Sequence, residues 1–220
     1  MRLACLVAIA AAVRLWGIAF GLPCIYSFDE QTSIGEALGL VRGATDALSF
    51  ANPPLYKYLL VGVFDAIVGQ TRLTDVDPTL LYLIARGASA VLGTATVGVV
   101  YWMGRLLRGP QTGLIAAGLT AVTYLLVRES HFAVNDALAT LCSTIALAGC
   151  LRVACRGTRG DYALAGAALG LAFAAKYQAV AVLVPLVLAH VQAVASGRMS
   201  TCCSRLASRA LRPSLRFRRW

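Results

Sequence analysis

The chain has 220 residues, 59% of them hydrophobic, with a mean hydropathy of +0.72 and a formal net charge of +10. A soluble domain of this length needs a more polar surface, so the composition fits a multi-pass membrane protein instead. Nucleic acid is excluded as a partner because the arginines fall between apolar runs and in the tail, as they do in loops beside membrane helices, and not along one stripe.

Only Lys57 and Lys176 are lysines, and Ala, Gly and Leu abound, which points to a GC-rich genome. The expected location is therefore a bacterial plasma membrane rather than the endoplasmic reticulum. The 7 cysteines are odd in number and match no metal or redox spacing, so they read as small hydrophobes without a disulfide framework.

Residues 3–22 form one apolar run broken only by Arg14. A run of that length, at about 1.5 Å per residue, covers roughly 30 Å and spans a bilayer. The competing reading is a signal peptide, from Arg2, the apolar core and the small residues around Ala10 to Ala12. It ranks second because further spans follow. Arg14 must face protein or water, or reach toward headgroups.

Residues 23–79 read as an outer loop. Within it, Ile34, Ala37, Leu38 and Val41 make a helical apolar stripe, which predicts a short helix lying on the membrane surface. Ser27 and Glu30 have capping-box spacing for its start. Residues 55–70 are apolar but carry Lys57 and Asp65. A charge at the centre of a span costs about 2.5–3.5 kcal/mol, so an interfacial or re-entrant helix is expected there. Residues 71–79, with Asp75 and Asp77, form a polar connection.

Further spans are expected at about 80–104, 113–127, 133–151, 161–175 and 177–195. Arg86 stands near the start of the first of these, and Lys176 hinges the last two. Gly166 and Gly170 have the small-xxx-small spacing of close helix contacts. Residues 197–220 change character: seven arginines from Arg198 to Arg219 alternate with Ser, Cys and Leu, without an acid. The tail reads either as a basic, headgroup-binding segment or as the out-of-frame end of a truncated gene. Truncation is preferred, because the preceding helices look like the front of something larger.

The positive-inside rule sets the topology. If residues 55–70 do not span, Arg105, Arg108, Arg152, Arg156, Arg159 and Arg198 all face the cytoplasm. Every acid except Asp161 then faces the other side. The same arrangement gathers Asp29, Glu30, Lys57, Arg86, Arg128, His131, Asp136 and Lys176 at one outer face. A carboxylate there, beside an apolar groove, suits transfer of a sugar from a lipid phosphate. It can take the acceptor's proton as general base while a cation steadies the departing phosphate.

Four blocks in order carry a resemblance: Phe28-Asp29-Glu30; Asn52-Pro53-Pro54-Leu55-Tyr56-Lys57; Ser130-His131-Phe132-Ala133-Val134-Asn135-Asp136; and Gly170 through Lys176-Tyr177. From about Arg14 to Ala195 the chain resembles the GT-C glycosyltransferases that use polyprenol-phosphate sugars, the protein O-mannosyltransferase and aminoarabinose transferase group. The resemblance implies an all-α, multi-pass transmembrane bundle of about six spans, with interfacial helices in the first outer loop. It implies a catalytic Asp29 supported by Glu30, and a substrate site of Lys57, Arg86, His131, Asp136, Lys176 and Tyr177. In some relatives such acids help hold a divalent metal; others need none. The partners implied are a polyprenol-phosphate sugar donor, the bilayer and an unidentified acceptor, with inversion at the anomeric carbon.

Bland alternatives stand beside these roles. Asp29, Glu30 and Asp136 could only cap helices, Arg86 could snorkel, and Lys57 and Lys176 could be interfacial anchors. The whole chain could be an inactive fragment of such an enzyme, or a small transporter or scaffold subunit. A proton path would need charges through several helices, and the acids crowd one face instead.

Overall fold

The computed structural model describes residues 2–24, 27–44, 49–69 and 76–196. The basic tail and most of the connection at 71–79 lie outside them. Among the described residues there are helices and turns and no strand: α1 (Arg2–Leu15), α2 (Phe28–Val41), α3 (Leu55–Val68), α4 (Pro78–Arg108), α5 (Pro110–Val122), α6 (Tyr124–Glu129), α7 (Asn135–Cys155), α8 (Arg159–Ala175), a 3-10 helix (Tyr177–Val182) and α9 (Leu183–Ala195).

Among the described residues, three helical stretches are long and apolar enough to cross a membrane: Pro78–Arg108, Asn135–Cys155 and Tyr177–Ala195. Shorter helices stand at the other expected spans. α1 has 14 residues and gives way to hydrogen-bonded turns from Trp16 to Leu22. α5 stops at Val122, where Thr123 turns extended (φ −61°, ψ 115°), and α6 resumes. α8 runs for 17 residues before Lys176 breaks it in an extended conformation.

α7 is the central element, packed on α4 to one side and on α8 and α9 to the other. Small residues let these helices approach, as is usual where lipid offers no hydrophobic drive. A Cβ on Gly149 would lie 2.7 Å from the Ala165 Cα, so α7 and α8 touch backbone to backbone there. α4 and α5 meet likewise at Gly104 and Gly113. The expected contacts at Gly166 and Gly170 are not made. Both glycines face open space, and α8 packs instead through Ala165, Ala168, Ala172 and Ala175.

α2 and α3 form the layer over one end of the bundle. Ile34 and Ala37 of the predicted stripe are buried, and Leu38 and Val41 pack against the same core. From α3, Tyr56, Leu60 and Phe64 join that core, together with Leu81, Tyr82 and Ala85 of α4. The α3 helix is too short to span, and its Asp65 is exposed. Ser27 precedes α2 in extended conformation but makes no side-chain cap, and the Glu30 side chain turns to Arg86. A capping box does form at α8, between Thr158 and Asp161.

Candidate active site

Arg86 and Glu30 form the knot beneath the site. The Arg86 Nε and Nη2 donate to the two Glu30 oxygens at 2.7 and 2.8 Å, a bidentate pair, and both residues are buried. Arg86 Nη1 donates to the carbonyls of Ile18 (2.8 Å) and Phe20 (2.9 Å), in the turns after α1. The Ala133 backbone N–H donates to Glu30 Oε1 at 2.9 Å, and the Phe132 ring lies under the guanidinium, 5.5 Å to its centroid. One ion pair therefore ties α2, α4, the end of the first apolar segment and the loop before α7. Arg86 does not snorkel, and Glu30 caps nothing. Fork-to-fork geometry gives such a pair two parallel hydrogen bonds and fixes its orientation.

The neighbouring Asp29 is exposed and lines a polar cavity of about 130 Å³. Lys57, Asn135, Asp136 and Lys176 line the same cavity. Lys176 Nζ pairs with Asp136 Oδ1 at 2.5 Å, with both side chains still partly accessible. Asp136 makes no helix cap; its carboxylate serves the lysine. The break at Lys176 is held by Asn135, whose Nδ2 donates to the Ala175 carbonyl at 3.2 Å, while Ser33 Oγ of α2 donates to Asn135 Oδ1.

Lys57 lines this cavity but its ammonium is committed. It pairs with Glu36 at 2.5 Å and donates to the carbonyls of Ser49 (3.1 Å) and Asn52 (3.4 Å). Three donors meet three acceptors, so Lys57 fixes the 49–52 loop that forms the cavity wall. Tyr177 reaches the same loop, its hydroxyl donating to the Phe50 carbonyl at 3.3 Å.

An apolar cavity of about 330 Å³ lies beside the knot, lined by Trp16, Phe20, Tyr124, Val127 and Phe132 with Arg86, Arg128 and His131. His131 ties its walls together: one ring nitrogen meets the Val127 carbonyl and the other the Trp16 carbonyl, each at 2.8 Å. The Arg128 side chain is 53% exposed and pairs with Glu129 at 3.3 Å.

Glu129 belongs to this site and was not singled out in the sequence. Burial raises its carboxyl above the ordinary value, against Arg128 and Lys176, which lower it; Asp136 and Asp29 push the same way as burial. It lines neither cavity but lies within electrostatic reach of charges that line both. The signal was present in its position between Arg128 and His131.

Among the described residues no three His, Cys, Asp or Glu side chains come together, and one oxygen of Asp136 already accepts from Lys176.

An apolar helical bundle with a carboxylate, a lysine and an arginine gathered at one end defines a helical membrane protein with a charged cluster beside an apolar cavity. Residues 52–210 match the family described as dolichyl-phosphate-mannose-protein mannosyltransferase, and the chain belongs to that GT-C family. Among solved structures it is similar to the Saccharomyces cerevisiae protein O-mannosyltransferase Pmt1-Pmt2 complex bound to the sugar donor, at 26% identity and a TM-score of 0.68. The likeness covers 83% of this chain and 26% of that one, so this chain spans about a quarter of its solved relative's length. Among curated proteins, none matches it.

Proposed function

We propose that this outer end binds a polyprenyl-phosphate sugar, mannose in the first instance, and transfers the sugar to an acceptor hydroxyl with Asp29 as general base. The observation that carries the proposal is the meeting of Asp29, Asp136 and Lys176 in one polar cavity, with an apolar cavity alongside. The family match and the donor-bound yeast relative support the donor class.

The prenyl chain lies along the apolar cavity, against Trp16, Phe20, Tyr124 and Phe132. Its phosphate sits between Lys176 and Arg128, the cavity-lining cations whose side chains stay accessible. The acceptor oxygen attacks the anomeric carbon and its proton passes to the Asp29 carboxylate. The bond from that carbon to the phosphate oxygen breaks, and its electron pair leaves with the lipid phosphate, whose charge Lys176 and Arg128 hold. A single displacement inverts the anomeric centre. Asp136 positions the Lys176 ammonium, and Glu30 and Lys57 position the walls. The arginine distribution supports a non-cytoplasmic site, and the composition supports a bacterial plasma membrane.

The test uses the full chain reconstituted in vesicles with tritium-labelled polyprenyl-phosphate mannose. Lys176→Ala should weaken donor binding about tenfold, as loss of a charge-assisted contact does. Asp29→Asn should keep donor binding and lose transfer. Transfer at an unaltered rate in Asp29→Asn, or no donor binding by the unaltered chain, overturns the reading.

A further inference from the structure

We infer that the opposite end of the bundle carries a built binding site for an anionic phospholipid headgroup. Asp136 and Arg152 stand near the two ends of α7, whose 21 residues measure about 30 Å. The arginine end is therefore in the other leaflet's interface, well away from the sugar site.

Asp161 is fully buried there, the one acid at this end among the described residues, and it organises the arginines. Arg152 Nε donates to its Oδ1 at 2.6 Å and Arg156 Nη2 to the same oxygen at 3.1 Å. The other oxygen accepts from the Thr158 hydroxyl (2.6 Å) and backbone N–H (3.2 Å), closing the capping box. Gly157, at φ +63°, makes the turn between them and packs on Ala193 of α9. The turn is fixed at both ends, so the two guanidiniums are held side by side before any ligand arrives.

One carboxylate cannot neutralise two guanidiniums, and each keeps further N–H donors after bonding Asp161. Arg156 leaves 54% of its side chain exposed and Arg152 leaves 28%. Arg152 also stacks over the Trp102 ring, 5.6 Å from its centroid, which brings in the last turns of α4. Arg105 stands one helical turn beyond Trp102 and is exposed. Fixed, paired guanidiniums suit the two free oxygens of a phosphodiester.

Leu106 and Leu107, on the same end of α4, are 44% and 59% exposed. Arginines beside exposed leucines and an interfacial tryptophan match an amphiphile: phosphate on the cations, acyl chains on the leucines. Free phosphate would use only the first. Basic pockets between helices at a membrane face bind anionic headgroups in this way.

Trp102 supplies the readout. In the full chain with Trp16→Phe and Trp220→Phe, Trp102 is the remaining tryptophan. The protein is reconstituted in phosphatidylcholine vesicles containing a minor fraction of brominated lipid, either phosphatidylglycerol or phosphatidylcholine. Brominated phosphatidylglycerol should quench Trp102 more, with an apparent local enrichment of about threefold or greater. Arg156→Gln with Arg105→Gln, both exposed positions, should bring the two lipids to near equality. Arg42→Gln, which removes a charge from the other end, should leave the preference unchanged. Equal quenching by both lipids in the unaltered arginine set overturns the proposal, whatever the variants do. So does a preference that survives the double substitution, or one that Arg42→Gln removes equally. Loss of the preference on adding inorganic phosphate would make this a free-anion site and overturn it as a lipid site.

Discussion

Asp29 and Glu30 are adjacent in the chain and opposite in fate: Glu30 is fully buried against Arg86, while Asp29 is exposed at the wall of the polar cavity. Successive helical residues point about 100° apart, so the first turn of α2 can give one carboxylate to the scaffold and the next to solvent. Substitution should separate them. Asp29→Asn should abolish sugar transfer with little change in thermal stability. Glu30→Gln should lower stability by about 3–5 kcal/mol, the cost of stranding a buried partner charge. Paired melting and transfer measurements check both; equal stability losses would contradict the division.

The buried pair of Lys57 and Glu36 predicts an acid-sensitive outer layer. Burial alone raises the Glu36 carboxyl, but hydrogen bonds from Lys57 and Ser49, with the Lys57 charge, bring it below its ordinary 4.5. A carboxylate depressed in the folded state stabilises it above the unfolded value, and that contribution fades as pH falls through the folded one. Glu36→Gln should therefore lower the melting temperature at neutral pH. The gap to the unaltered protein should close as pH drops below 4.5. A gap independent of pH would exclude the ion pair as its source.

Glu129 predicts the reverse sign. Its folded value is raised, so ionising it at neutral pH works against the fold. Glu129→Gln should raise the melting temperature at pH 7. The gain should disappear below the ordinary 4.5, where the unaltered carboxyl is protonated in both states. Destabilisation at pH 7 would show that Arg128 outweighs burial.

Two glycines separate packing from spacing. Gly149→Ala places a methyl 2.7 Å from the Ala165 Cα and should cost about 1–3 kcal/mol by prying α7 from α8. Gly166→Ala enters open space and should be neutral or gain up to about 1 kcal/mol in helix propensity. Thermal unfolding in one detergent compares them directly.

These glycines also show where a sequence stops being readable. The α2 stripe of Ile34, Ala37, Leu38 and Val41 was legible because apolar burial follows helical period. The gathering of Asp29, Asp136 and Lys176 was legible because topology follows arginine placement. Which glycine touches a neighbour depends on how two helices rotate about their axes, and single-helix spacing does not carry that. The same holds for Glu30, whose spacing from Ser27 satisfied a local motif. Its partner lies 56 residues away, and a bidentate guanidinium in a dry interior outcompetes a cap that water can replace. Lys57 and Arg86, read as substrate cations, bond mainly to the protein for the same reason.

Arg14 gives the first helix a role that outlasts membrane insertion. Its Nη1 donates to the Ala10 and Ala121 carbonyls and its Nη2 to that of Thr120, where the break at Thr123 interrupts the backbone ladder of α5. Such oxygens have no water to turn to at that depth, and each left bare costs several kcal/mol. A peptidase that clipped α1 away would strip α5 of its donor. α1 is thus a helix the bundle cannot release.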